Sequence, residues 1–483
     1  MCARSRLSVA RTWQHAYASS EGKLRLFIKT VFFLNTGTGS NSIDGRLISQ
    51  EFFATTERAT AAKVAAPTEG RIMLSNTRAD IPTFVSHLEC SLTGQRYSAD
   101  CVHNLSDQGK PLLVRYDLKA LGRALNKSDL LTREPGMWRY REFLPIRRAQ
   151  DIVSLGEVIT PLIDLPRTQA RIGAKELVVK DESRLPTGSF KARGMAVAVS
   201  MAKALGIQRI ALPSAGNAGV ALAAYCARAG IKSFVFYPED APAATVSEIA
   251  LFGAHGYAVN GVITDLGPIV QRGSDTLGWF NASTLKEPYR VEGKKTMGLE
   301  LAEQLNWELP DVIVYPTGGG TGIIGMWKAF AELEAIGWIG SKRPRMVVVQ
   351  SQNCAPLVRA FDEGTVFAEP WRDPSSSIQG VRVPATVGDF IILRILRESG
   401  GFAIAIDDQE AEPVRREVAA SDGIHLSLEG AATIIACRQA IAEGRVKKTE
   451  RIVAFNCAGG FKYPLEYVPR RLNRHSAIDF ASL

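Results

Sequence analysis

The sequence predicts an α/β fold of mostly parallel sheets covered by helices. Two observations carry that expectation. Apolar, strand-like runs alternate with helical ones from residue 150 onward, and two of the strands pass through small-residue turns straight into helices. In chain order, 176–180 reads as a strand before the turn Leu185-Pro186-Thr187-Gly188-Ser189-Phe190-Lys191, and 195–205 as an Ala/Val-rich helix. Residues 209–212 form a short apolar strand, 213–219 a small-residue turn and 220–229 a helix. Strands follow at 233–237 and 256–259, separated by a helix over 243–252. A further strand starts at Val312, runs into the glycines before Gly322, and continues as a helix over 323–334. Residues 345–350 and 451–456 are the last strands, the second opening onto Cys457-Ala458-Gly459-Gly460. No internal repeat or low-complexity linker interrupts the pattern.

Three of the turns carry groups suited to chemistry. Lys191 stands between a tight Pro-Thr-Gly turn and a helix, where the positive helix end and apolar walls disfavour the ammonium form. Such an amine can form an imine with an aldehyde. The plain alternative is a solvated surface lysine. The turn Ser214-Ala215-Gly216-Asn217 lets backbone N–H groups and one amide side chain approach a ligand closely. Thr317-Gly318-Gly319-Gly320-Thr321-Gly322 exposes successive N–H groups and two hydroxyls, which suits a phosphate monoester dianion. Either loop alone would also pass for an ordinary β–α turn. The glycine spacing does not match a dinucleotide fingerprint. An amine, an amide donor and a dianion cup together meet the needs of pyridoxal 5′-phosphate.

These motifs resemble those of the fold-type II pyridoxal-phosphate enzymes, the tryptophan synthase β-like family, and are most similar there to the threonine synthases. The likeness extends through Lys286-Glu287-Pro288-Tyr289-Arg290-Val291-Glu292-Gly293-Lys294-Lys295-Thr296, Gly380-Val381-Arg382-Val383-Pro384, Glu429-Gly430-Ala431-Ala432 and His87-Leu88-Glu89-Cys90-Ser91-Leu92-Thr93-Gly94. It spans roughly residues 81–470. The resemblance implies a large cofactor-binding domain built from 81–194 and 291–470, a smaller inserted α/β domain over 195–290, and a tail over 471–483. The ligand would lie between the domains at the carboxyl ends of strands.

The implied activity is a lyase converting O-phospho-L-homoserine and water to L-threonine and phosphate through a Schiff base on Lys191. On that likeness Lys191 holds the cofactor and later carries protons, and Asn217 bonds the ring hydroxyl oxygen. Thr317, Gly318, Gly319, Gly320, Thr321 and Gly322 would cup the cofactor phosphate, and Cys457 would face the pyridine nitrogen. Ser214 and the 215–219 amides would hold the substrate carboxylate. Arg290 would grip the substrate phosphate in a two-donor geometry, supplemented by Ser283, Thr284 and Lys286, with Arg193 and Arg382 as weaker arginine candidates. Two residues depart from the pattern. Ala192 stands where many threonine synthases carry Asp, and Cys457 where they usually carry Thr. A cysteine there also resembles the serine dehydratases. The alternatives are therefore a serine/threonine ammonia-lyase, a β-replacement enzyme similar to cysteate synthase, and a non-catalytic binding protein of the same fold. Lys191 and the glycine cup speak against the last, and the length of 81–150 favours the synthase over the shorter dehydratases.

Composition bounds the remaining classes. The chain has 483 residues, 46% hydrophobic and 22% charged, enough for two or more cores. Seven cysteines form no CxxC pair, and Cys90, Cys101 and His103 lack a second ligand pair, so no metal is expected. No run reaches the roughly 18 apolar residues of a membrane span, because Arg25 and Lys29 break the longest one. Residues 1–72 hold 10 Lys/Arg against 5 Asp/Glu and so supply +5 of the net +9. Together with residues up to 80 they read as an N-terminal extension without a catalytic part: transit-like, a disordered tail, or the product of an upstream start. The expected location is cytoplasmic, or organellar if the extension is a transit peptide. The remaining charge forms no basic stripe among aromatics, so a small anionic substrate is expected as partner and a nucleic acid is not. A homodimer is compatible with this composition.

Overall fold

The computed structural model describes the strands Val9–Ala18 and Leu24–Phe32, residues 81–465 and 467–476, and residues 478 and 480. Residues Met1–Leu74 and Ser75–Leu483 form two compact units. In the first, Val9–Ala18 and Leu24–Phe32 pair antiparallel, with Thr12 opposite Thr30 and Ala18 opposite Leu24. The rest of the expected extension lies outside the described residues.

The second unit is α/β, as the alternating pattern predicts. Its largest sheet has six strands in the order Phe402–Ile406, Arg345–Ser351, Val312–Pro316, Arg451–Asn456, Glu176–Asp181, Leu162–Asp164. All are parallel except the Leu162–Asp164 edge. Central strands such as Val312–Pro316 are buried on both faces, which is why they are apolar without alternation. A second, wholly parallel sheet runs in the order His255–Val259, Lys232–Pro238, Arg209–Pro213, Phe280–Asn281. A small antiparallel sheet of Arg96–Tyr97, Val85–Cys90 and Leu112–Tyr116 contributes Leu88, Leu112 and Val114 to the same core cluster as Leu212 of that sheet and the helix residues Val197 and Val220.

Strand order explains where a site can form. In the four-stranded sheet the chain moves outward from Arg209–Pro213 and then returns to its other side as Phe280–Asn281. In the six-stranded sheet Arg451–Asn456 slots back between Val312–Pro316 and Glu176–Asp181. Such reversals leave crevices at the carboxyl ends of neighbouring strands. The loops at 182–190, 214–216, 282–288, 317–320 and 457–459 all leave those ends.

Three helices, Lys191–Ala204, Tyr289–Gln304 and Thr321–Ala335, pack closely beneath the loops. The contacts are made at glycines. A Cβ on Gly293 would lie 2.0 Å from the Arg193 carbonyl oxygen, and one on Gly325 would lie 2.7 Å from the Lys294 Cβ. Neither position has room for any other residue. Among the described residues no helix is long and apolar enough to cross a membrane.

Candidate active site

Lys191 is the first residue of the Lys191–Ala204 helix, as its place in the sequence suggests. The preceding turn is held open by Thr187, whose φ of 59° is uncommon for a β-branched residue. A strained turn held by its surroundings is frequent at functional sites. Two hydrogen bonds tie the turn to the strand that ends at Asn456: Phe190 N–H donates to the Cys457 carbonyl at 2.9 Å, and Gly459 N–H to the Gly188 carbonyl at 2.9 Å. The Lys191 Nζ lies 4.4 Å from the centre of the Phe190 ring. Burial, and then the nearby Arg290 guanidinium, bring its pKa down to about 8, while Cys457 and Glu429 oppose the shift.

Cys457 is buried beside the Tyr315 hydroxyl, and burial pushes its thiol up, so it stays protonated at neutral pH. Glu429 is held by the Tyr463 hydroxyl at 2.7 Å and by the Gly380 N–H at 2.9 Å.

The glycine cup is built on the next strand. Thr317 N–H donates to the Val349 carbonyl, and its hydroxyl donates to the Tyr315 carbonyl at 3.0 Å. The Thr317 side chain is therefore occupied with shaping the loop. Gly320 has φ 78° and stands at the N-cap of Thr321–Ala335 with no side chain capping the helix. Among the described residues the amides of Gly318 to Gly322 make no backbone hydrogen bond, the condition of an anion-binding helix start. Walls close on the cup from several sides. A Cβ on Gly318 would meet the Gly380 carbonyl oxygen at 2.6 Å, and one on Gly319 would meet the Thr284 methyl at 2.5 Å.

The Ser214 loop differs. Ser214 Oγ accepts from Gly219 N–H at 2.9 Å and Gly216 N–H at 3.2 Å, and donates to the Gly216 carbonyl. This hydroxyl and two of the 215–219 amides thus satisfy one another. Asn217, the first residue of the Asn217–Ala229 helix, makes no side-chain hydrogen bond among the described residues, so its amide is free to donate.

Arg290 is the second residue of the helix Tyr289–Gln304. Glu287 accepts its N–H at 3.1 Å and that of Tyr289 at 2.7 Å, and burial lifts the Glu287 carboxyl to about 7. Arg290 is 2% exposed. One arm of the guanidinium donates to the Ala282 carbonyl at 2.7 Å, while Nη2 is buried with no hydrogen-bond partner. A charged donor left unsatisfied in the interior is costly unless something else meets it. The 282–284 loop thus joins Arg290 to the cup through Thr284. In that loop Ser283 hydrogen-bonds the Asn281 side chain at both its N–H and its hydroxyl, while Lys286 is half-buried.

Two other arginines are engaged elsewhere. Arg193 is clamped by Glu182 and Glu300, and Arg382 bonds Gln379 and faces Asp240. Sequence reasoning does not single out Lys294. It is wholly buried and donates to the Phe190 carbonyl, with Nζ 4.1 Å from the same Phe190 ring that Lys191 faces. The signal that could have found it is its place four residues after Arg290, one turn along the same helix face.

A lysine of lowered pKa, a free Asn amide, a neutral thiol and a row of free amides in a walled cup fit pyridoxal 5′-phosphate, a group the structure does not contain. A model of the pyridoxal-phosphate dependent enzyme family matches residues 153–458. The chain is 34% identical over 377 residues to the threonine synthase of Methanocaldococcus jannaschii, spanning 78% of this chain and 92% of that one. It is 33% identical over 380 residues to that of Methanosarcina acetivorans, spanning 78% and 92%. Among solved structures, the threonine deaminase of T.th. superposes with a TM-score of 0.54 at 20% identity, covering 71% of this chain and 100% of that one. Maize serine racemase gives 0.54 at 20%, covering 62% and 88%. Those two likenesses speak for the fold alone.

Proposed function

The chain belongs to the pyridoxal-phosphate-dependent enzymes as a lyase of the threonine synthase group, and on that premise we propose that it converts O-phospho-L-homoserine and water to L-threonine and phosphate. The observation that carries this reading is the unpartnered Nη2 of buried Arg290. The glycine cup accounts for the cofactor phosphate, so a second buried cationic donor calls for a second anion. Curated relatives named threonine synthase, at 34% and 33% identity over most of the chain, support the same substrate.

When bound, pyridoxal 5′-phosphate supplies an electron sink for negative charge developing on substrate carbon. Lys191 and the 318–322 amides would hold it at its two ends, with Asn217 donating to the ring hydroxyl oxygen. Cys457 would face the ring nitrogen, and its neutral thiol would leave that nitrogen unprotonated. Lys191, its pKa lowered to about 8, is suited to take a proton from Cα and move protons at the neighbouring carbons. Phosphate departs from Cγ and water adds at Cβ. Arg290, with Ser283, Thr284 and Lys286 around it, would bind the departing phosphate and the substrate that carries it. The Ser214 loop is the proposed seat of the substrate carboxylate, through the amides its own hydroxyl leaves free. The domain division at 195–290 would let the Ser214 loop close over the large sheet.

The test is a comparison of products. Holoenzyme given O-phospho-L-homoserine should release phosphate and threonine in equal amounts and give little ammonia from serine or threonine. Ammonia release from threonine, without phosphate release from O-phospho-L-homoserine, would replace this reading with the ammonia-lyase.

A further inference from the structure

We propose that Lys294 completes the substrate-phosphate grip with Arg290, as a buried amine that receives a proton when a dianion enters. The inference rests on the reading that Arg290 binds a phosphate.

Arg290 and Lys294 are four residues apart on the Tyr289–Gln304 helix, so their side chains leave the same face. Both border Gly194 of the facing helix: a Cβ there would lie 3.1 Å from the Arg290 carbonyl oxygen and 3.4 Å from the Lys294 Nζ. Lys294 Nζ has one hydrogen bond among the described residues, to the Phe190 carbonyl, and no ion pair. The charged groups facing it are Lys191 and Arg193 from the Lys191–Ala204 helix, Arg290 from its own helix, and Glu182 after the Glu176–Asp181 strand. Glu182 is already committed to Arg193 at 2.7 Å. Burial, followed by Lys191 and Arg290, therefore holds the Lys294 amine well below the usual lysine range.

A neutral amine donates to the Phe190 carbonyl and keeps one lone pair. A dianion on Arg290 reverses the local field, and a proton from solvent adds to that lone pair. The resulting ammonium supplies the second positive charge that a dianion requires and a neutral side chain does not. Proton uptake thus ties selection for a phosphorylated substrate to Lys294. By contacting the carbonyl next to Lys191, the same residue also holds the turn that carries the cofactor amine.

Sulfate is a suitable probe, since it is a dianion that does not itself titrate near neutrality, and in the holoenzyme the cofactor occupies the glycine cup. Calorimetric titration of sulfate into holoenzyme at about pH 8, in buffers of different ionisation heat, should show uptake of about one proton per sulfate. Sulfate affinity should then fall about tenfold per pH unit above neutrality. Lys294→Arg, charged at every pH, should bind sulfate without proton uptake, and Lys294→Met should bind it weakly and without pH dependence. Saturable sulfate binding with no proton uptake in the wild type overturns the inference about Lys294 and leaves the Arg290 grip standing. Uptake that persists in both variants assigns the proton to another group, Glu287 being the nearest candidate, and equally overturns it. Sulfate binding that is absent, or indifferent to Arg290→Ala, defeats the phosphate reading itself.

Discussion

Lys294 and Lys295 are neighbours in the chain, both fully buried, and they meet opposite surroundings. Lys295 lies 2.7 Å from Glu292 and 2.8 Å from Glu332, and these carboxylates also hold Lys328. Its pKa is raised, because the two carboxylates outweigh the burial that would lower it. Lys294 faces Lys191, Arg193 and Arg290, and its pKa is lowered. One step along a helix turns a side chain by about 100°, enough to move it from one face to another. One lysine therefore belongs to the ion network that binds the Tyr289–Gln304 and Thr321–Ala335 helices together. The other faces the Phe190 carbonyl and ring at the turn before Lys191. Burial alone does not tell a structural charge from a functional one; the sign of its neighbours does.

The largest effect expected from this contrast is on folding. Lys295→Met leaves Lys328 as the one cation, among the described residues, between buried Glu292 and Glu332, an unbalanced buried charge that should cost about 3–5 kcal/mol of stability. Lys294→Met removes a buried amine that has no counter-charge and should cost far less, about 1 kcal/mol, for its one hydrogen bond. Chemical denaturation of the two variants side by side measures the difference, and equal losses would show that the sign of the neighbouring charges does not set the cost.

Next in size is the site itself. Arg290→Ala should cost about 2–5 kcal/mol in kcat/KM for O-phospho-L-homoserine, the range for removing one partner of a buried charged contact. Turnover of an unphosphorylated amino acid should change much less. Steady-state kinetics on both substrates would show it, and parallel losses would mean that Arg290 holds the fold or the cofactor.

A smaller effect sharpens the role of Lys191. Its pKa of about 8 lies below that of an unfolded lysine, so the native chain binds fewer protons between that value and the ordinary lysine range. Uptake of pyridoxal 5′-phosphate by cofactor-free protein requires the neutral amine and should accelerate as pH rises through about 8, then level off. By the same linkage Lys191 contributes a rise in stability with pH across that window, and nothing below it. Stopped-flow absorbance across pH provides the midpoint. A midpoint in the ordinary lysine range would show that burial and Arg290 do not act on this amine.

The strand-helix alternation made the sheets legible in the sequence, because parallel strands buried on both faces are apolar runs. The very short edge strands Phe280–Asn281 and Leu162–Asp164 were not legible, since two or three residues carry no period. Lys191, Asn217 and the 317–322 loop were legible because each sits where a strand end meets a helix start. What remained hidden depends on three-dimensional neighbours. Ser214 and Thr317 look like ligand hydroxyls in the sequence, yet both are bonded within their own loops. Arg193 looks like a candidate for an anion and is held by two carboxylates from distant segments. Lys294 and Lys295 read alike until the fold assigns each a face.

The most direct test is to ask which of the two lysines facing the Phe190 ring bonds the cofactor. Borohydride reduction of the holoenzyme, followed by proteolysis and mass mapping, should place the pyridoxyl group on Lys191, and Lys191→Ala should yield no reduced adduct. A label on Lys294 in the wild-type protein would contradict the account, since Lys294 would then be the cofactor amine and not part of the phosphate grip.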